Sequence, residues 1–308
     1  MLHRVQRIYD RFRWLRSDGT PNFSQRLSRK PGYARLISKP VKNVYSPNIS
    51  ILKAFEIAYQ DRSTVIPLIK IGRKVDSVVS LREFISLLGG SFSTLIEIKH
   101  RGFFIETLNR ETARSISRRD FPSVGEDSDL REVLETIVLS EGGYVVVLDK
   151  DQNLIGLITE RDLIRYLREK ITGIKVRDVM TENIAFVRYG DKLCDVIREM
   201  NILNVRRFPV VRSDGSIAGI VRAIDIVYFI GSHDVFRYLT KGSYDEFCQL
   251  PVDLVMKEAS IISDDRDIGE ASERMLSEDI DYFLVLSEGE IKGIITERDI
   301  IYGLAVLS

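Results

Sequence analysis

Apolar and polar positions along this chain form a pattern that predicts the same elements several times. An apolar run of strand length, YVVVLD (144–149), is followed by the turn-forming DKDQN (149–153) and a second apolar run, LIGLIT (154–159). The spacing of apolar residues predicts an amphipathic helix before this pair of strands, at 130–139, and another after it, at 161–170. With a brief strand upstream, the pattern predicts a β-α-β-β-α unit of about 60 residues.

This unit occurs four times in the sequence. GLITERD (156–162) returns as GIITERD (293–299), and the apolar runs before the two motifs also align. A third copy contains RFPVVRSDGSIAGIVRAID (207–225), and a fourth, more divergent copy contains VIPLI (65–69) and SVVSLRE (77–83), with serine at the glycine position. Because each unit has an apolar sheet face larger than its own helices can cover, neighbouring units are expected to stack.

These motifs resemble those of the CBS domain family. The resemblance rests on the order of elements, on VRDVM (176–180), on the strand FPVV (208–211) and on G-h-h-T-x-x-D at 156–162 and 293–299, and it covers residues 38–308. It implies an α/β (α+β) fold in which four CBS repeats form two Bateman modules in a disc-like assembly. The predicted boundaries are an extended basic N-terminal arm (1–39) and repeats one to four (40–115, 116–172, 173–248 and 249–308).

The threonine and aspartate of the repeated motif have two interpretations. Thr159 and Asp162 lie at a strand-to-helix junction, and Thr296 and Asp299 repeat the arrangement. In a capping box, the hydroxyl accepts from a helical N–H while the carboxylate reaches back, and no ligand is involved. In a nucleotide site, the start of the helix and the hydroxyl favour phosphate, and a carboxylate one turn on accepts both hydroxyls of a ribose.

The resemblance favours the nucleotide interpretation, because CBS repeats bind adenosine nucleotides at these positions. It implies AMP, ADP or ATP as a regulatory ligand, with no required cofactor. Arg161 and Arg298 are predicted to form charge-assisted hydrogen bonds to phosphate. In repeat three, Arg222 replaces the threonine while Asp225 remains, so an altered site is predicted there.

Nothing in the sequence predicts catalysis. His3, His100 and His233 are far apart, and none of H-E-x-x-H, C-x-x-C, G-x-S-x-G and G-x-x-x-x-G-K-[ST] occurs. Cys194 and Cys248 cannot make a disulfide framework and fit a reducing compartment, so the predicted location is the cytoplasm. Cys194 lies in a helical pattern and is predicted to be a core contact. No apolar run approaches the roughly 18 residues of a membrane span, so no membrane partner is expected.

The charges are unevenly distributed along the chain. The 308 residues include 45 Lys and Arg and 45 Asp and Glu, a formal net charge of zero. Residues 1–40 hold eight Arg and two Lys against Asp10 and Asp18, a net charge of +8 that leaves −8 for the rest. A basic arm on an acidic body indicates that the arm has a partner of its own.

The arm is predicted to bind RNA, with rRNA in the ribosome as the expected partner. Arginine binds phosphate and stacks on bases, and interleaved aromatic rings provide stacking platforms. Docking on an acidic protein surface and packing on the chain's own body are the alternatives. The predicted RNA-binding residues are Arg4, Arg7, Arg11, Arg13, Trp14, Arg16, Arg26, Arg29, Lys30, Tyr33, Arg35 and Lys39.

Three functional hypotheses follow. The first is a non-catalytic regulator whose CBS body binds adenine nucleotides and whose arm brings it to the ribosome as a hibernation-type, translation-inhibiting factor. The second is an energy-sensing subunit that controls a metabolic enzyme or kinase, as in the AMP-activated kinase gamma subunits of the family. The third is a scaffold whose capping boxes bind nothing. Four repeats in one chain are compatible with a monomer, and a homodimer stays open.

Overall fold

The computed structural model describes residues 16–17, 23–24, 31–41, 43–140, 142–165 and 171–307. Its strands are β1 (Val65–Ile69), β2 (Val75–Ser80), β3 (Ser123–Gly125), β4 (Tyr144–Leu148), β5 (Leu154–Thr159), β6 (Thr181–Glu182), β7 (Val187–Arg188), β8 (Arg207–Val211), β9 (Ile217–Arg222), β10 (Ile261–Ser263), β11 (Tyr282–Ser287) and β12 (Glu290–Thr296). Its α-helices are α1 (Tyr33–Ile37), α2 (Ile51–Gln60), α3 (Leu81–Gly89), α4 (Phe104–Arg110), α5 (Leu130–Ser140), α6 (Glu160–Arg165), α7 (Val176–Val179), α8 (Leu193–Leu203), α9 (Ala223–Gly231), α10 (Tyr244–Gln249), α11 (Ile268–Ser277) and α12 (Glu297–Tyr302).

The chain divides into two compact units. Unit 1 is formed by the described residues of 1–42, 122–184 and 260–308, and unit 2 by those of 43–121 and 185–259. Unit 1 therefore contains the strand pairs of repeats two and four, and unit 2 contains those of repeats one and three. Each unit thus combines two repeats that are not consecutive in the sequence.

The same antiparallel hairpin lies at the centre of every repeat. The four hairpins are β1–β2, β4–β5, β8–β9 and β11–β12, and each has a register shift at an equivalent position. The residue pairs just before that shift are Leu68↔Ser77, Val147↔Gly156, Val210↔Gly219 and Val285↔Gly293. The divergent first copy therefore keeps the register of the other three, and the mixed α/β fold predicted from the sequence is confirmed.

Each hairpin gains a further backbone partner from one of four lead-in segments, which are residues 34–39, 113–118, 176–181 and 252–257. In repeat two, Lys39 exchanges two backbone hydrogen bonds of 2.9 Å with Leu157 of β5. The equivalent antiparallel pairs in the other repeats are Arg118↔Val78, Thr181↔Ile294 and Lys257↔Ile220. The segment that leads into repeat one thus covers repeat two, and the segment that leads into repeat two covers repeat one. Repeats three and four exchange their segments in the same way.

The glycine of the motif makes room for the lead-in segment. An ideal Cβ on Gly156 would lie 2.5 Å from the carbonyl oxygen of Lys39, and one on Gly293 would lie 2.6 Å from that of Thr181. Both oxygens belong to backbone that is held in the sheet, so they cannot move away easily. In repeat one the buried hydroxyl of Ser77 instead accepts a hydrogen bond of 2.8 Å from the Ser117 hydroxyl.

We expect Gly156→Ala to lower the free energy of unfolding by about 1–3 kcal/mol, the usual effect of overpacking a well-packed site. Urea denaturation measures this effect. Gly125→Ala is the matched control, because a Cβ there has its nearest neighbour, the Ser128 hydroxyl, at 3.9 Å. That control is expected to cause no destabilisation beyond about 0.5 kcal/mol. Equal destabilisation by the two variants would show that the close approach of the Lys39 carbonyl oxygen to Gly156 does not affect stability.

The core of unit 1 is built from both of its repeats. Strands β4 and β11 contribute Val145, Val147, Phe283 and Val285, each fully buried. Helices α5, α6, α11 and α12 pack apolar side chains onto the same cluster, of which Ile164 is one example. Neither hairpin could bury these faces with its own helices alone, which is the physical reason that the repeats associate.

The last residues of the predicted arm are folded onto unit 1. Helix α1 packs against β5 and α5, with Ala34 fully buried and Tyr33 only 8% exposed. The guanidinium of Arg35 is 2.7 Å from the carboxylate of Glu126, and Lys39 belongs to a lead-in segment. The ring of Tyr33 is packed into unit 1 in this structure, and its assignment as an RNA-binding residue stays a prediction. This packing follows from the role of 34–39, which is the same as that of the other lead-in segments.

Of the other predicted RNA-binding residues, Arg16 is exposed, and the remainder lie outside the described residues. That remainder consists of Arg4, Arg7, Arg11, Arg13, Trp14, Arg26, Arg29 and Lys30.

The two cysteines form a disulfide bond, which corrects the interpretation from the sequence. Cys194 of α8 and Cys248 of α10 have Cα atoms 4.6 Å apart and are joined through sulfur. Cys194 is buried, as expected of a core contact, but it is not a free thiol. The prediction of a reducing compartment assumed that the cysteines are free, so the disulfide removes the basis for it. Within the described part of the chain, no helix has the length and hydropathy needed to cross a bilayer.

Candidate functional site

The strand-to-helix junction of repeat two brings Thr159 and Asp162 together. Oδ2 of Asp162 accepts hydrogen bonds from the Thr159 backbone N–H at 3.0 Å and from the Thr159 hydroxyl at 2.7 Å. The side chain of Asp162 is 4% exposed, so its carboxylate is nearly removed from water. The threonine hydroxyl therefore donates to this carboxylate, which reaches back over the start of α6 as a capping box requires.

Repeat four repeats this geometry closely. Oδ2 of Asp299 accepts from the Thr296 backbone N–H at 2.9 Å and from the Thr296 hydroxyl at 2.7 Å. Asp299 is buried to the same degree as Asp162. One oxygen of each buried carboxylate is thus fixed by its own threonine, which leaves the second oxygen, Oδ1, to be satisfied from outside the motif.

The second oxygens are approached by equivalent residues of two lead-in segments. Nζ of Lys39 lies 2.6 Å from Oδ1 of Asp162, and the hydroxyl of Thr181 donates to Oδ1 of Asp299 at 3.1 Å. Lys39, which the sequence assigned to RNA, therefore belongs to the candidate site of repeat two. Its position next to Leu157 on β5 fixes its backbone there, while its side chain is half exposed.

The predicted phosphate ligand Arg161 is committed to the partner repeat. Its guanidinium donates to the Glu297 carboxylate at 3.0 Å and to the Asp279 carboxylate at 2.8 Å. It also donates to the carbonyl oxygens of Ile280 at 2.9 Å and Met275 at 3.2 Å. With these four partners, Arg161 joins repeat two to repeat four in unit 1, and in this structure it is not turned toward Thr159.

Arg298 makes the reciprocal contact. Its Nε lies 2.5 Å from the Glu160 carboxylate, while Arg161 pairs with Glu297. The pairs relate the two TERD motifs to each other: Thr and Asp act within a repeat, and Glu and Arg act between repeats. The recurrence of Glu-Arg beside each Thr and Asp was the available sequence signal. The signal was missed because the sequence does not say which two repeats share a unit.

Repeats one and three have related but different junctions in unit 2. Arg222 donates to both oxygens of the buried Asp225 carboxylate, from Nε at 2.7 Å and from Nη2 at 2.9 Å. The arginine thus takes over the role of the threonine. In repeat one, the Glu83 carboxylate accepts from the Ser80 hydroxyl at 2.6 Å and from its N–H at 2.8 Å. A ribose at Asp225 would have to displace a bidentate guanidinium, which makes repeat three a weaker candidate than repeats two and four.

Fold and site define a protein of tandem α/β repeats with two buried carboxylate sites in one unit. Within the described residues, no group of three or more His, Cys, Asp and Glu is arranged to hold a metal ion. The chain belongs to the CBS domain family, whose model matches residues 113–169, 176–232 and 252–306, more than half of its length. The resemblance inferred from the motifs is confirmed.

Two archaeal relatives are similar to most of the chain. Uncharacterized protein MJ1225 of Methanocaldococcus jannaschii is 31% identical over 269 residues, which are 86% of this chain and 95% of the relative. Its crystal structure, described as that of a suggested archaeal homolog of g-AMPK, superposes with a TM-score of 0.81 and 29% identity over 88% of this chain and 99% of that one. An uncharacterized 33.4 kDa protein in the ribosomal RNA operon of Thermofilum pendens is 30% identical over 79% of this chain and 81% of its own length.

An enzyme is also similar to part of the chain. Homoserine O-acetyltransferase of Methanococcus vannielii is 25% identical over 140 residues, which are 44% of this chain but only 28% of that enzyme. Because the similarity covers so small a share of the enzyme, it does not indicate that this chain has the enzyme's activity. Proteins with CBS domains are generally regulatory, and this chain is a regulatory protein of the CBS domain family.

Proposed function

We propose that this chain is a non-catalytic adenine-nucleotide sensor that binds AMP, ADP or ATP at the junctions of repeats two and four. The observation that carries the proposal is the pair of buried carboxylates, Asp162 and Asp299, each with one oxygen held by its own threonine. A scaffold would need only a cap at each junction, and a surface cap does not require a nearly inaccessible carboxylate.

The second oxygen of each carboxylate suits a ribose. A ribose has two neighbouring hydroxyls that donate hydrogen bonds, and a carboxylate oxygen accepts them at a strength above that of neutral pairs. In this structure Lys39 forms an ion pair with one of those oxygens and Thr181 donates a hydrogen bond to the other. A ribose hydroxyl in place of either side chain would give that buried oxygen a hydrogen-bond donor.

We further propose that the nucleotide state is read by a partner enzyme or kinase. The support is the likeness to MJ1225, which is described as a suggested archaeal homolog of g-AMPK and which this chain matches over nearly all of the relative's length. A protein that binds a metabolite without converting it can act only through other molecules, which its ligand-bound form contacts.

Calorimetric titration with AMP, ADP and ATP tests the proposal, and thermal unfolding with the same nucleotides supports it. A nucleotide at 100 times its Kd is expected to stabilise the folded chain by about 2.7 kcal/mol. Asp162→Asn and Asp299→Asn are each expected to remove one binding site, and the double variant both. S-Adenosylmethionine is included because it shares the adenosine moiety but carries no phosphate.

The control separates loss of a cap from loss of a ligand. Ser243 and Glu246 form a capping box at the start of α10 in unit 2, and Ser243→Ala is expected to cost about 1 kcal/mol without changing nucleotide affinity. If the double asparagine variant still binds two nucleotides per chain, the sites lie elsewhere. If the unmodified chain binds no adenine nucleotide at all, the sensor function is wrong.

Binding of the arm to RNA stays a prediction without support in the described residues. Tyr33 is buried, and Arg35 and Lys39 are paired with carboxylates of unit 1. A pull-down with and without nuclease separates the two kinds of partner. Retention of the partner after nuclease treatment favours an enzyme or kinase, and its loss favours RNA.

A further inference from the structure

Repeats two and four place chemically different residues at one equivalent position of the site. Lys39 and Thr181 occupy the same place in their lead-in segments, one pairing with β5 and the other with β12. Lys39 presents an ammonium to Asp162, whereas Thr181 presents a neutral hydroxyl to Asp299. The two sites share their threonine, their aspartate and the burial of that aspartate, so this position is one at which their ligand preferences can differ.

The ammonium is the counter-charge of a carboxylate that is almost completely buried. Oδ1 of Asp162 is inaccessible and, among the described residues, receives no well-oriented hydrogen bond, so its compensation is the Lys39 ion pair at 2.6 Å. The guanidinium of Arg165 follows at 3.7 Å. Uncompensated buried charge is costly, so a ligand that takes the place of Lys39 has to supply more than one neutral hydrogen bond.

A neutral nucleoside and a nucleotide differ in what they offer to Lys39. Adenosine would displace the ammonium from Asp162 and give it no new partner. A nucleotide carries a phosphate that can accept the displaced ammonium, whose flexible stem and half-exposed position allow it to turn. At Asp299 the exchange at this position is hydroxyl for hydroxyl, because Thr181 carries no charge.

We propose that Lys39 is a specificity-determining residue that makes the repeat-two site select phosphorylated nucleotides over adenosine. The inference rests on the proposed nucleotide-binding function and assigns a ligand preference to one of its sites.

Titration calorimetry of single-site chains tests the inference. Asp299→Asn leaves the repeat-two site and Asp162→Asn leaves the repeat-four site, and each chain is titrated with AMP and with adenosine. Adding Lys39→Thr to the first is expected to raise its adenosine affinity about tenfold and to lower its preference for AMP. Adding Thr181→Lys to the second is expected to lower its adenosine affinity about tenfold. Neither Lys39 nor Thr181 is fully buried, so folding is expected to be retained and is verified by thermal unfolding.

Lys150→Thr is the charge-matched control, because Lys150 is exposed and lies 3.7 Å from Asp127 at a turn of unit 1. It removes one positive charge without touching either site and is expected to change neither affinity. If AMP binds but the ratio of AMP to adenosine affinity is unchanged by both exchanges, the assignment of Lys39 is wrong while the sensor function stands. If neither ligand binds the unmodified chain, both proposals are wrong.

Discussion

Replacing Cys194 and Cys248 together with serine is expected to lower the free energy of unfolding by about 4 kcal/mol. The bond closes a loop over a sequence separation of 54 residues, and the loss of loop-closure entropy in the unfolded chain gives about 4 kcal/mol at that length. Chemical denaturation of the oxidised chain and of the double serine variant measures the difference.

Reduction of the unmodified chain provides an independent form of this experiment. Cys194 and Cys248 are among the residues that line an open cavity of about 480 Å³ in unit 2. The reduced chain is expected to unfold at the same denaturant concentration as the double serine variant, and the variant itself is expected not to respond to reductant. Identical midpoints for the oxidised chain and the variant would mean that the bond contributes no stability.

The second large effect is expected from Arg161→Ala, which should destabilise the chain by about 3 kcal/mol, the lower end of what breaking a buried ion pair from one side costs, because the Arg161 side chain is 24% exposed. The side chain of Glu297 is 9% exposed and would lose this partner, and the carbonyl oxygens of Ile280 and Met275 would lose a donor. Equilibrium denaturation in urea measures the loss. Replacing Arg161 and Glu297 together is expected to recover part of it, since the carboxylate that pairs with Arg161 is then also removed.

Arg131→Ala is the matched control for this prediction. Arg131 pairs with Glu135 one turn further along α5, and both side chains are about one-third exposed. Pairs of this kind contribute about 0.3–0.5 kcal/mol. If Arg161→Ala proves no more destabilising than Arg131→Ala, the hydrogen bonds and ion pairs of Arg161 with repeat four do not stabilise the fold.

The elements inside each repeat could be predicted because their signals are local. The period of apolar residues located the hairpins, and the glycine and the Thr-x-x-Asp spacing marked one junction in each of two repeats. Gly156, Gly219 and Gly293 recur because backbone from a lead-in segment lies against each of them, whereas repeat one has Ser77 at this position. Asp162 and Asp299 recur because each has to reach back to its own threonine. That relation spans three residues and survives in the sequence as a fixed spacing.

Features that depend on which segments meet could not be obtained in that way. The function of Arg161 became visible only when repeat four supplied Glu297 across 136 positions of sequence. The disulfide joins two helices 54 positions apart, and nothing near Cys194 indicates its partner. The lead-in role of 34–39 did leave a trace, because ARLISK there resembles ARSISR at 113–118. The basic composition of the arm favours an RNA-binding interpretation of the same residues, and so short a match does not outweigh it.

The exchange of lead-in segments bears on how such a chain can arise. A gene that gained or lost a single repeat would leave one sheet edge without its covering strand, and exposed edges invite association with other chains. Repeats are therefore expected to be gained or lost in pairs, with repeats one and two together or repeats three and four together. Doubling an ancestral pair makes repeats two and four sisters, which fits their shared TERD motif. It also makes one and three sisters, and in the folded chain each set of sisters forms its own compact unit.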